Sequence, residues 1–257
     1  MKDTLRQIAV VITTLVMIIV NGLANALPLN GQNTGEISDR FDVYFVPAGY
    51  VFSIWGLIYL LLIIFTVYQA LPAQRQNARL RATGWWIALS SLANSAWIFL
   101  WHYEQFPLTV IVMLVLLGSL IYIYLKLNTV QDSPSTVQFW ALRLPFSIYL
   151  GWITVATVAN ITALLDFWQW SGFGIAPEVW MVIILIAVLV IAVLMNFTRR
   201  DVGYALVILW ALAGIALKHA AVSAVAVPTW IVFGLVAVTL AAAFVLRQPG
   251  QKLPATK

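Results

Sequence analysis

The chain has 257 residues, of which 63% are hydrophobic and 9% charged, with a net charge of +5 and no cysteine. Soluble domains carry charge on about a quarter of their residues, so an ordinary water-soluble domain is excluded, and the lack of Cys removes disulfides, thiolate metal sites and cysteine nucleophiles. The basic residues are scattered over several loops without interleaved aromatics, which excludes a nucleic-acid-binding surface.

Residues 1–7 carry Lys2, Asp3 and Arg6 and lead into an apolar run over 8–27. Ala24-Asn25-Ala26 imitates a signal-peptide cleavage site, but the apolar run persists to Leu27, Pro28 stops it and Asp3 sits in the charged region; a retained first helix is favoured over a cleaved signal. Residues 29–46 form a polar loop with Glu36, Asp39, Arg40 and Asp42. Pro47 suits the first turn of a second helix, since the amide it lacks would have no intrahelical partner there, and the apolar run continues to Leu71. A basic loop with Arg75, Arg79 and Arg81 precedes a third helix over 83–101, and the short link 102–106 fits only a tight antiparallel hairpin into a fourth over 107–125. Beyond a polar loop over 126–138, helices are expected over 139–165, 177–197, 202–222 and 227–246, before a polar tail. The runs are long enough to cross a bilayer and do not alternate polar with apolar residues. The expected fold class is therefore all-α, a polytopic membrane helical bundle of about eight transmembrane helices.

Eight spans place both termini on one side, which tests the alternate loops for charge bias. On one side fall Lys2, Arg6, Arg75, Arg79, Arg81, Lys126, Arg143, Arg199, Arg200, Arg247, Lys252 and Lys257; on the other only Arg40 and Lys218. This asymmetry predicts cytoplasmic termini and an outward-facing 29–46 loop, and the expected location is the plasma (inner) membrane.

Three helices present aromatic stripes. Phe52, Trp55 and Tyr59 fall at i, i+3, i+7; Asn94 and Trp97 at i, i+3; Tyr149, Trp152, Ala156 and Asn160 at i, i+3, i+7, i+11. An amide in hydrocarbon needs a partner, so Asn94 and Asn160 should point into the bundle and carry the aromatic residues of their faces inward with them. Taken from periodicity alone, such stripes are more often helix packing than a pocket. Trp85, Trp86, Trp101, Trp140, Trp168, Trp170, Trp180 and Trp230 lie near predicted span ends, as an interfacial belt requires.

The segment Pro47-Ala-Gly-Tyr50-Val-Phe52-Ser-Ile-Trp55-Gly-Leu-Ile-Tyr59 resembles the Pro-Pro-x-Trp-x-Phe-x-x-x-Trp-x-x-x-Tyr signature of the TspO/MBR family, the tryptophan-rich sensory proteins related to the translocator protein. Asn94-Ser-Ala-Trp97 is similar to that family's third-helix segment, and Tyr149-x-x-Trp152 followed by Asn160 to its fifth-helix pattern, with Ala156 at a position the family associates with ligand contact. Ala48 stands for the second Pro, Tyr50 for a usual Trp, and the signature is one residue shorter between Tyr50 and Trp55. The resemblance covers about residues 8–165. It implies a TspO-like five-helix ligand-binding bundle over 1–166, to which 167–257 add a three-helix membrane module.

What the resemblance implies is a receptor or sensor with an aromatic-lined cavity under the first outer loop, binding a porphyrin, a haem-related tetrapyrrole or a sterol-like ligand. The implied ligand-binding residues are Tyr50, Phe52, Trp55, Tyr59, Asn94, Trp97, Tyr149, Trp152, Ala156 and Asn160. Indole and phenol rings can stack on a flat macrocycle and a few polar groups can orient it, so the residue reading agrees. A transporter of a small hydrophobic or amphipathic solute is the alternative, and a porphyrin-degrading enzyme a weaker one; mid-membrane ionisable residues are nearly absent, which counts against proton coupling. No catalytic residue, metal site or required cofactor is expected, porphyrin or haem entering only as ligand. The expected partners are the hydrophobic ligand, the lipid bilayer and a second copy of the chain in a homodimer, with no nucleic acid. Arg40 is a candidate for porphyrin propionates but reads better as solvated, His102 as an interfacial residue and Lys218 as a snorkelling lysine.

Overall fold

The structure, a computed structural model, describes residues 1–128 and 135–246. Arg247, Lys252 and Lys257 of the charge pattern, and 129–134 of the expected 126–138 loop, lie outside the described residues. Among the described residues there are ten α-helices and no strand: α1 (Lys2–Ala26), α2 (Thr34–Ser38), α3 (Ile54–Ala70), α4 (Ala78–His102), α5 (Phe106–Asn128), α6 (Thr136–Gln138), α7 (Leu144–Phe167), α8 (Pro177–Thr198), α9 (Val202–Lys218) and α10 (Ser223–Val245). Apart from α2 and α6, each has 17 residues or more.

Six segments are long and apolar enough to cross a membrane: α1, α3 with its preceding turn, α5, α7 with its preceding turns, α8 and α10. The other two long helices run the length of the bundle beside them. α9 has 17 residues, and α4 opens on Arg79 and Arg81 and carries Ser90, Ser91, Asn94 and Ser95, which lower its hydropathy. At one end of α4 the Arg81 guanidinium pairs with Asp3 at 2.6 Å; at the other His102 meets Thr34 of the 29–46 loop at 3.1 Å. α9 likewise runs from Asp201, bonded to Tyr124 at the close of α5, to Lys218, paired with Asp39 at 2.8 Å. The chain is an integral membrane helical bundle.

α1, α4, α5, α7 and α3 pack in that order into a ring that closes where α3 meets α1. α9 then packs on α7, and α8 and α10 pack on each other and on α9. The boundary at 166/167 is thus crossed by close contacts. Tyr204 donates to Thr154 at 3.2 Å, and Trp210 Nε1 donates to the Val51 carbonyl at 3.0 Å. At Gly214 the α9 backbone comes close enough to accept from the Ala48 amide at 3.3 Å. A Cβ there would collide with Val51 Cγ2 and sit 3.2 Å from Pro47. Overpacking a fitted contact costs about 1–3 kcal/mol, so Gly214→Ala should lower the thermal transition of the purified protein by that equivalent; an unchanged transition would show that this seam yields freely.

Pro47 does not open the second membrane helix. Pro47 and Ala48 remain extended on α9, a 3-10 turn spans Gly49–Ser53, and the α-helix begins only at Ile54. Phe52 at the end of the turn and Trp55 and Tyr59 in the first turns of α3 still line one cavity, so the aromatic stripe survives the later start. The expected seventh helix stops at Lys218, short of 222, and the eighth starts at Ser223, ahead of 227. Residues 136–138, expected at the end of the polar loop, form α6, and the first residues of the expected fifth helix form a π-helical stretch over Phe139–Arg143 before α7 begins.

Candidate functional site

The 29–46 loop covers the ring and is pinned to it by polar bonds. Asn33 caps α2 in a reciprocal pair with Glu36, the helix signal Asn-x-x-Glu allows. The His102 ring bridges the loop, with Nε2 3.1 Å from Thr34 Oγ1 and Nδ1 3.1 Å from the Leu29 carbonyl. Asn30 donates to the His102 carbonyl at 3.0 Å, and Trp101 Nε1 to the Thr34 carbonyl at 3.2 Å. Two expectations change here. His102 is buried and fastens the loop, and Trp101 is buried in the bundle instead of standing in the interfacial belt, because the loop folds back over both. Trp85, Trp140, Trp168 and Trp230 are exposed, as a belt requires. Arg40 pairs with Glu104 at 2.8 Å, and Lys218 with Asp39, so both of these basic residues are ion-paired instead of solvated or snorkelling alone.

Beneath this cover lie two adjoining cavities that share Thr34 and Phe52 as walls. The first, about 50 Å³, is bounded by Phe52, Trp97, Trp101, Trp152, Ala156 and Asn160, with Ser38 and Pro47 from the loop. The second, about 240 Å³, is bounded by Asn21, Asn25, Phe52, Trp55, Tyr59 and Ile98. Phe52 separates them, its ring edge-on to Trp152 at 5.7 Å. Trp55 is stacked on Tyr59 at 5.4 Å and stands edge-on to Trp152 at 6.2 Å. T-shaped and offset pairs at such spacings favour the ring quadrupoles.

The two asparagines point inward, as their cost in hydrocarbon demands, but they are largely satisfied by protein groups. Asn94 accepts from Asn21 Nδ2 at 2.7 Å and donates to the Tyr149 hydroxyl at 2.9 Å. Asn160 accepts from Trp97 Nε1 at 2.9 Å and donates to Thr109 at 2.8 Å. Asn94 and Tyr149 therefore form a buried brace and line neither cavity, while Asn160 bounds the smaller one. The indole N–H of Trp152 is different: it is buried and has no hydrogen-bond partner among the described residues. Such a donor costs about 1–3 kcal/mol while unmet. Tyr50 is not in the site. It is 48% exposed and packs edge-on to Trp210 at 5.5 Å, because the 3-10 turn swings it away from Phe52.

Of the ten expected ligand-binding residues, Phe52, Trp97, Trp152, Ala156 and Asn160 meet at the smaller cavity, and Trp55 and Tyr59 join Phe52 at the larger. Asn21, Thr34 and Ser38 were not among those expected. Asn21 carried the same signal as Asn94, an amide within a membrane helix. Thr34 and Ser38 carried none, since only the folded loop brings them over the ring.

A family model described as TSPO-like protein matches residues 7–244. The chain belongs to the TSPO-like family. The match extends past the 8–165 stretch that carries the sequence resemblance and takes in α8, α9 and nearly all of α10. No curated protein and no solved structure matches the chain. Within this TSPO-like protein the site stands at the end of the ring covered by the 29–46 loop, where aromatic walls, two small cavities and one unmet buried donor coincide.

Proposed function

We propose that this TSPO-like chain is a membrane receptor or sensor that binds a flat hydrophobic ligand, a porphyrin, haem-related tetrapyrrole or sterol-like molecule, under the loop between α1 and α3. The observation that carries this reading is the meeting of Phe52, Trp97, Trp152 and Ala156 around a cavity where the Trp152 N–H lacks an acceptor. A ligand carbonyl or carboxylate supplies that acceptor, and the indole faces supply stacking surface. Drug-sized ligands occupy about 300–1,000 Å³, more than either cavity alone, so a macrocycle requires Phe52 to swing aside and join the two. Ser38 and Thr34 on α2 then lie against the ligand as part of the lid. Titrating the purified protein with a porphyrin tests this: saturable quenching of Trp fluorescence together with a shifted porphyrin absorbance band is expected, and quenching without saturation would overturn it.

Both termini lie in the cytoplasm and the 29–46 loop faces outward in this reading, on the strength of the charge bias. The loops fall on two faces as eight antiparallel crossings require: 29–48 touches 102–104, 178 and 218–219, while the start of α1 touches 69–81. A reporter active only in the cytoplasm should work when inserted within 74–80 and fail within 31–37. Activity at the second position would reverse the orientation.

A further inference from the structure

A third cavity, about 250 Å³, lies at the outer-loop ends of α7 and α8 and shares no wall with the two under α2. It exists because α8 packs on α9 and α10 and leaves α7 uncovered there, with 42–45 of the outer loop bridging the gap. Its inner part is apolar, with Phe45 and Met181 buried beside Ile184. Trp170 and Trp180 form an indole wall, ring centres 5.2 Å apart, and Trp180 is held in place by donating to the Gly172 carbonyl at 3.0 Å. Asp42 and Asp166 complete the lining, the first exposed and the second half-buried.

Neither carboxylate has an ion pair or a side-chain hydrogen bond among the described residues. The basic groups on this face are engaged elsewhere, Arg40 with Glu104 and Lys218 with Asp39. His219 packs edge-on to Tyr44 at 5.3 Å, and burial, with Lys218 beside it, holds its pKa below the usual imidazole range. Glu178, which accepts from the Tyr44 hydroxyl at 2.9 Å, adds a third negative charge nearby and raises the Tyr44 phenol above its ordinary value. Anionic groups without counter-charges beside indole faces favour a cation, and the apolar depth favours one with a hydrocarbon part.

We propose that this cavity is a second binding site, separate from the tetrapyrrole site, for an organic cation with an apolar portion. Its ammonium head lies against Trp170, Trp180, Asp166 and Asp42, and its hydrocarbon part over Met181 and Ile184. The head belongs either to a soluble amine or to an ammonium-bearing lipid headgroup, which share this chemistry.

The test is calorimetric titration of the full chain in phosphatidylglycerol nanodiscs with butyltrimethylammonium, against empty nanodiscs. Saturable binding above the empty-disc signal is expected, with Asp166→Asn weakening it at least five-fold and Asp42→Asn by less. The uncharged alcohol 3,3-dimethyl-1-butanol, whose tert-butyl group matches the trimethylammonium head in shape, should bind at least ten-fold more weakly. Both variants keep side-chain size at positions without partners, so their thermal transitions should match the parent's. Adding phosphatidylcholine to the discs separates the sources: a drop in apparent affinity supports the site with a lipid occupant, and no change supports it with a soluble amine. Binding no greater than to empty discs, equal affinity of parent and the double variant, or equal affinity for the alcohol would each overturn the proposal.

Discussion

Trp152→Ala is expected to weaken porphyrin binding by ten-fold or more. The Trp152 ring is 2% exposed, stands edge-on to both Phe52 and Trp55, and bounds the cavity that Ala156 and Asn160 complete. An aromatic pair contributes about 0.5–1.5 kcal/mol beyond its area, and apolar burial adds about 25 cal/mol per Å². Together these exceed the roughly 1.4 kcal/mol that makes a factor of ten. Trp152→Phe keeps a ring but removes the unmet N–H, so it should cost less than alanine and isolate the ligand's hydrogen bond. Ala156→Leu should also weaken binding ten-fold or more, because the three carbons that Leu adds take up the space of a cavity of only about 50 Å³. Trp180→Ala, on a helix outside the ring, should leave porphyrin affinity at the parent value. Fluorescence titrations in which all these variants bind like the parent would leave the aromatic stripes as helix packing alone.

The second large effect concerns stability and centres on Asp201. Its carboxylate caps α9 by accepting from the Tyr204 amide at 3.0 Å, accepts from the Tyr124 hydroxyl of α5 at 2.7 Å and from the Ser147 hydroxyl of α7. One side chain thereby joins three helices. Losing an N-cap costs about 1 kcal/mol, and each hydrogen bond to a charged acceptor about 1.5–3 kcal/mol before the partners relax. Asp201→Ala should therefore destabilise the protein by about 3 kcal/mol or more, read from denaturant or thermal unfolding in detergent. Asp201→Asn retains the cap acceptor and should fall between alanine and the parent. In a cycle with Tyr124→Phe the two losses should be non-additive, since they remove one shared bond. A loss below about 1 kcal/mol for alanine would mean that α9 is held by its apolar seam at Val51, Pro47 and Gly214 and not by this carboxylate.

Much of this molecule was legible without coordinates. Apolar runs of bilayer length dictate helices because hydrocarbon offers the backbone no other hydrogen-bond partner, and Asn94, Trp97, Trp152 and Asn160 had to face inward because their polar atoms could not face lipid. The same physics made the resemblance to the TspO/MBR family readable, since the motif residues are those whose positions the bilayer constrains most. Periodicity could not say which inward residues meet a cavity and which meet one another. Asn94 and Tyr149 are spent on a brace with Asn21, Tyr50 leaves the site for Trp210, and the family match reaches through α9, which walls the ring at Gly214. Nor could it say that residues of a polar loop, Thr34 and Ser38, would close over the site, or that His102 would hold them there. Those outcomes depend on contacts between residues tens to hundreds of positions apart, and a local pattern carries the cost of exposing a side chain to lipid but not the identity of the partner that relieves it.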